Sequence, residues 1–293
     1  MKIIYRLLRS VVHRSGILID VRNLILKMNF NINDDMLNQN CKKFQGQLIK
    51  MSADLPLKMI GASVKDGSYP ILTYENFKKI KVISIGVGNN IIFDEAISNL
   101  GATVWCFDHT VAPRIKNKHK RNIFYKPFGI KGTTPIPNCK SLKEILQLTE
   151  DSKVFDATIL KLDCEGVEWD VLTSNSIKLL SQFDQIIVEL HNLDRFSDTN
   201  FAKMALKNFK KLENDFLVTY LAPNNFTPIV RLANDLLWPF TLEVLLVNKK
   251  LVKKSNIEVM RRNTMGALFK KKNHWHLAPR VNLESWYEID RFA

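Results

Sequence analysis

The sequence predicts a doubly wound α/β fold, a mostly parallel sheet with its last strand antiparallel and a helical extension at the N-terminus. Three observations carry this. From Lys81 onward, short apolar runs alternate with stretches of helical spacing. The runs are of the buried type, which belongs to a sheet covered on both faces. Polar residues gather just after Ile85, Phe107, Leu162 and Leu190, where those runs end. In open α/β sheets, ligands bind at the C-terminal strand ends, near the switch point.

The elements follow in order. Lys81-Val-Ile-Ser-Ile-Gly86 reads as a strand ending in glycine, and Phe93 to Leu100 as a helix stopped by Gly101. Thr103–Asp108 is the second strand, and Ile123–Phe128 a weaker third with Pro127 at its end. Ser141 and Glu144 have capping-box spacing and open a helix to Leu148. Thr158–Asp163 is the fourth strand, followed by a helix from Glu168 to Leu180. Gln185–Leu190 is the fifth, Phe201–Glu213 a helix, and Phe216–Leu221 and Leu242–Val247 close the series.

The chain has 293 residues, of which 46% are hydrophobic, which suits a folded α/β domain with extensions rather than disorder. Residues 1–60 read as a basic helical extension interrupted near Asn29–Asn40, 61–251 as the main domain, and 252–293 as a basic C-terminal extension packed on it. Arg6, Arg9, Arg14, Asp20 and Arg22 break the first apolar stretch, so the sequence predicts no spanning helix and no secretory signal. A basic amphipathic helix packed on the domain is the favoured reading there, ahead of a membrane-surface role. Cys41, Cys106, Cys139 and Cys164 lack CxxC spacing, which favours a reducing compartment, with the cytoplasm preferred, over zinc or a disulfide scaffold.

The formal charge of +14 is concentrated in Arg114–Arg121 and Lys249–Lys272. Such runs attract acidic partners. They lack the interleaved aromatics that stack bases, so a solvated basic face is favoured over a nucleic-acid surface.

Two ends of the sheet carry the chemistry. Ser84-Ile-Gly-Val-Gly-Asn-Asn90 is a strand-to-helix turn in which Gly86 and Gly88 let the backbone approach a ligand. Asp108 ends the next strand, placed to accept both ribose hydroxyl hydrogens of an adenosine. Nicotinamide enzymes use the same logic, but Ile91 stands where their third glycine would be. At the other end, Asp163, Glu165 and Gly166 follow the fourth strand, while Glu168 and Asp170 suit the dipole of a first helical turn. Glu189 and His191 share a face at the end of the fifth strand. A neutral histidine there could take a proton from a hydroxyl or amine. The alternatives are a divalent metal gathered by Asp163, Glu189 and His191 and a purely structural histidine; no metal site is assigned.

Asp66-Gly-Ser-Tyr69, Ser84–Asn90, Phe107-Asp-His-Thr110, Leu160-Lys-Leu-Asp-Cys-Glu-Gly-Val-Glu-Trp169, Phe183–His191, Asn224-Asn225 and Leu242-Glu-Val occur in an order that resembles the FkbM-type methyltransferases and their methyltransferase-like animal relatives. The resemblance covers roughly residues 60–250. It implies a Rossmann-like methyltransferase fold, S-adenosylmethionine as methyl donor, and most often O-methylation. It places Gly86, Gly88 and Asn89 at the methionine part of the donor, Asp108 at its ribose, and Asp163 near the methyl-transfer point. Asp66, Tyr69, Glu165, Asn224 and Asn225 are assigned to the acceptor, expected to be a small molecule or a glycan-type group. The segment between Asn225 and Pro239 departs from the pattern, carrying Leu236-Leu-Trp238.

Methyl transfer needs an aligned nucleophile and removal of its proton, for which Asp163, Glu189 and His191 are the candidates. Two alternatives stand beside it: a catalytically silent methyltransferase fold acting as a basic binding module and, less favoured, a nicotinamide-dependent oxidoreductase. Acceptor, metal requirement and oligomeric state do not follow from the sequence.

Overall fold

A computed structural model of the chain describes residues 35–61, 67–110, 122–150, 153–224, 227, 229–231, 237–254 and 260–261. The amphipathic reading of the first residues, the basic run Arg114–Arg121 and most of Lys249–Lys272 lie outside them, as do Asp66 and Asn225 of the acceptor set, and Leu236.

The first described helix, α1, spans Asp35–Met51. Leu37, Cys41, Phe44, Leu48 and Met51 recur at helical spacing and are all buried. The interruption expected near Asn29–Asn40 does not extend past Asp35: Asn38 and Asn40 lie inside the helix, and Asn38 is itself buried. Burial of the apolar stripe outweighs the weak helix propensity of asparagine, about 0.7 kcal/mol per residue at most. Residues 52–60 are not helical. Leu57–Ile60 pairs antiparallel with Tyr69–Leu72, and Ala53–Asp54 pairs with Met260–Arg261.

The main sheet has seven strands: β1 Ile80–Ile85, β2 Thr103–Phe107, β3 Ile123–Lys126, β4 Ala157–Leu162, β5 Gln185–Leu190, β6 Phe216–Pro223 and β7 Leu242–Asn248. Their order is β3-β2-β1-β4-β5-β7-β6. Pairs among β3, β2, β1, β4 and β5 are parallel, and β7 runs antiparallel to both β5 and β6. This is the predicted doubly wound fold, with the last strand inserted between its two predecessors. The order in which strands are added reverses between the parallel neighbours β1 and β4, so their C-terminal ends face the crevice of the switch point.

The two faces of the sheet have separate cores. On one, Ile83, Ile85, Phe107, Leu160, Leu162, Ile186 and Val188 meet α1 and a later helix. Phe44 of α1 is central: its ring lies 5.0 Å from Phe209 and 5.1 Å from Phe196. On the other, Val82, Val104, Ile159, Ile187 and Leu245 pack with Phe93 and Ile97 of α2 (Ile92–Asn99) and with Ile71 and Leu72.

Capping chemistry explains the remaining boundaries. Gly101 takes φ +113° after α2. Ser141 and Glu144 form the expected capping box of α3 (Leu142–Leu148). The helix predicted from Glu168 to Leu180 is two helices, α4 (Glu168–Ser174) and α5 (Ile177–Leu180). Ser176 divides them because its side chain accepts a hydrogen bond from the Leu179 amide, starting a new helix. Asp198 caps α6 (Thr199–Leu212) by accepting from the Asn200 and Phe201 amides. No described helix is long and apolar enough to cross a membrane, and all four cysteines are free thiols.

Candidate active site

Strand alternation sets the site. Cys106, Ser84 and Lys161 are register partners across β2, β1 and β4. Two residues further along these strands come Asp108, Gly86 and Asp163, on the same face. Glu189 follows Val188, the partner of Leu162, and pairs directly with Glu243 of β7. One level of one sheet face therefore carries four carboxylates at the mouth of the crevice.

The two glycines of the turn differ in their surroundings. Gly86 has φ +79°, and a Cβ there would lie 1.7 Å from the carbonyl oxygen of Asp163, so only glycine fits between the two strand ends. Gly88 has φ +53° with nothing within 4 Å of a Cβ position, and Asn89 beside it is exposed. The Gly88 amide donates to Asp108 Oδ2 at 2.8 Å, while the Thr110 amide and hydroxyl donate to Asp108 Oδ1, both at 2.7 Å. The carboxylate is thus fixed at the end of β2 with three of about four acceptor positions used. One remains, where the sequence reading called for two. Ile91, where a dinucleotide site would have its third glycine, is buried in the core under the turn.

Asp163 accepts hydrogen bonds from the Tyr69 hydroxyl at 3.0 Å and from Lys161 Nζ at 3.3 Å, both at Oδ2. Its Oδ1 takes no hydrogen bond among the described residues. Lys161 is a buried ammonium under the Tyr69 ring, 4.9 Å from its centroid. Burial alone would lower its pKa, but Asp163, Asp94 and Glu189 outweigh that and raise it. Asp94, on α2, has its pKa raised by burial against the pull of Lys161 and of the neighbouring Ser84 and Cys106 side chains.

Glu189 accepts from Asn224 Nδ2 at 2.6 Å, and His191 Nε2 lies 3.7 Å from the same oxygen. Burial first, then the charge of Asp163, pushes the Glu189 carboxyl up to about 8. His191 Nδ1 lies 3.0 Å from Glu168 Oε1. Burial opposes the imidazolium, yet the Glu168 hydrogen bond and the carboxylates of Glu168, Glu189 and Glu165 raise its pKa to about 9. The neutral imidazole expected from the sequence is therefore the minor form near neutrality. The reason is the acidic surroundings of His191, which strand alternation alone does not reveal. Glu165, with φ +54°, leaves its side chain 74% exposed 3.8 Å from His191 Nε2, which marks the outer rim of the site.

Asp163, Glu189 and His191 bring one ligand-type atom each within 4.8 Å of one another, a set suited in composition to a divalent cation. The Lys161 ammonium lies 3.3 Å from Asp163 Oδ2, so one positive charge already stands beside this set.

Of the acceptor set, Tyr69, Glu165 and Asn224 come together around Asp163, Glu189 and His191. Sequence reading missed Lys161, Glu168 and Glu243. The signal was present for Lys161 and Glu243: a charged residue within an otherwise apolar buried strand. Glu168 was assigned to the helix dipole; it is fully buried and accepts from the Cys164 and Gly166 amides as well as facing His191. Trp238, in the segment that departed from the expected pattern, is buried with its indole N–H donating to the Leu193 carbonyl.

The family model of the Methyltransferase FkbM domain matches residues 65–216, just over half of the chain. This protein belongs to the FkbM methyltransferase family. S-adenosylmethionine is the cofactor which that membership supports, and the open turn at Gly88 beside the anchored Asp108 fits an adenosyl ligand.

No curated protein matches the chain. Among solved structures, a fibrillarin pre-rRNA processing protein from Methanococcus jannaschii shares 13% identity at TM-score 0.35, covering 60% of this chain and 70% of its own. A protein from Listeria monocytogenes described as an S-adenosylmethionine-dependent methyltransferase shares 12% at 0.34, covering 71% and 99%. A further one from Anabaena variabilis shares 14% at 0.35, covering 74% and 96%. Likenesses this weak decide nothing about function.

Proposed function

We propose that this chain is an active methyltransferase that methylates a hydroxyl oxygen of a small-molecule or glycan-type acceptor. The observation that carries the reading is the pairing of Glu189 and His191 beside Asp163, at strand ends adjoining the glycine turn. A proton acceptor next to the donor end is what methylation of a hydroxyl requires and what a silent binding module does not.

When bound, S-adenosylmethionine supplies an electrophilic methyl group on a sulfonium. The protein's own residues do the rest. Gly88 and Asn89 leave room at the methionine end, Gly86 lets the ends of β1 and β4 close together beneath it, and Asp108 holds the ribose through its remaining acceptor position. Tyr69 and Lys161 hold Asp163 at the transfer point. Asn224 orients Glu189, whose carboxylate form, gained as pH rises through about 8, takes the acceptor's proton, and His191 stabilises that form by holding a proton of its own. Glu165 and the neighbours of Asn224 would contact the acceptor at the rim. The segments 1–60 and 252–293 are read as extensions of the 61–251 domain.

Calorimetry with S-adenosylmethionine and S-adenosylhomocysteine tests the cofactor end, with binding expected in the native protein and lost in Asp108→Ala. Turnover of labelled donor on hydroxyl acceptors tests the rest. Unchanged turnover in a Glu189→Gln/His191→Asn variant that still binds donor would overturn the assignment. A folded protein that binds no donor would favour the silent binding module.

A further inference from the structure

We propose that Glu168 is the positioning residue of the site, a buried carboxylate that locks His191 to one tautomer and directs its Nε2 toward Glu189. The proposal rests on the reading of Glu189 and His191 as the proton-handling pair.

The geometry is specific. Glu168 opens α4 with a fully buried side chain. Oε1 accepts from the Cys164 amide at 2.5 Å and lies 3.0 Å from His191 Nδ1; Oε2 accepts from the Gly166 amide at 2.9 Å. One carboxylate therefore ties the turn after β4, which carries Asp163 and Glu165, to the residue after β5. Helix-dipole stabilisation needs an acidic residue near this helix start but needs none of these three contacts.

A carboxylate only accepts, so His191 Nδ1 must carry the hydrogen. When His191 is neutral, Nε2 is then the acceptor nitrogen. That atom lies 3.7 Å from Glu189 Oε1 and 3.8 Å from Glu165 Oε2. The backbone of His191 is held independently: the Trp169 indole N–H donates to its carbonyl at 2.7 Å, and Asn192 follows at φ +62°. Ring and backbone are thus fixed from the same helix, α4. The charged groups facing the imidazole are Glu168 from α4, Glu165 from the turn, Glu189 from β5 and Asp163 from the end of β4. Among them, Glu168 alone approaches within hydrogen-bonding distance.

Nitrogen NMR of the protein with labelled histidine tests this directly, the His191 signals being identified by their loss in His191→Asn. In the unsubstituted protein, above its pKa, His191 should show hydrogen on Nδ1 and a bare Nε2. In Glu168→Gln, the His191 pKa should fall by about one to three units, the range set by loss of a close opposite charge. A neutral form protonated at Nε2, or a folded Glu168→Gln protein with an unmoved His191 titration, would overturn the proposal. If that variant does not fold, the tautomer in the unsubstituted protein alone decides. Neither readout involves methyl transfer. An inactive protein with the predicted tautomer would count against the proposed function and leave the role of Glu168 standing.

Discussion

Glu189 and Glu243 are directly opposed across the antiparallel pair β5–β7, and both are buried. Like charges opposite one another are unfavourable in a sheet. Glu243 thus adds to burial and Asp163 in raising the Glu189 pKa, against His191 and Lys161. Replacing Glu243 by Gln should move the Glu189 titration to lower pH. If Glu189 is the proton acceptor, the rising limb of the pH–turnover profile will move the same way. An unmoved profile would separate Glu189 from proton removal.

Stability should depend on the same groups. Glu189 and His191 both bind their protons more tightly in the folded chain, at about 8 and about 9 against ordinary values of 4.5 and 6.5. The stability they contribute is complete below those ordinary values and is lost as pH rises through about 8 and about 9. Urea denaturation across that window should show a steady fall, and the fall should shrink in His191→Asn.

Gly86→Ala and Gly88→Ala should differ sharply. Both glycines have positive φ, which costs a residue with a Cβ about 1–2 kcal/mol. Only at Gly86 would the added carbon also collide with backbone, the Asp163 carbonyl at 1.7 Å. Gly86→Ala should therefore destabilise well beyond the φ cost and abolish donor binding. Gly88→Ala should fold, with denaturation midpoints as the comparison. Equal effects at the two positions would contradict the close approach of β1 and β4.

Lys161 and Asp94 give a second contrasting pair. Lys161→Met leaves Asp163, whose side chain is 23% exposed, without its cation and should cost about 1–3 kcal/mol. Burial raises the Asp94 pKa, so the charge there is worth less to the fold, and Asp94→Asn should cost less than Lys161→Met. Equilibrium unfolding checks both. The lysine also predicts that chelation of divalent metals leaves turnover unchanged.

The helix α1 should matter more than its place before the main domain suggests. Phe44 is wholly buried among Trp169, Phe196, Phe209 and Trp238. Phe44→Ala should cost about 3–5 kcal/mol, read by thermal or chemical unfolding.

The strands, the glycine turn and the polar residues at the strand ends were legible because each rests on neighbours in the chain. Ser84–Asn90 declares its turn through two glycines, Ser141 and Glu144 their capping box through spacing, and Glu189 and His191 their common face through alternation. Asp108, Asp163, Glu189 and His191 could accordingly be named before any contact was known. What those residues experience is set by others far away in sequence. Register brings Glu243 opposite Glu189, packing of α2 on the sheet sets Asp94 near Lys161, and the start of α4 brings Glu168 onto the His191 ring. Charge state follows from burial and from these distant carboxylates, and neither is encoded by local periodicity. That is why the chain order revealed which residues line the crevice, while only the folded arrangement decided that His191 favours its proton and which nitrogen faces Glu189.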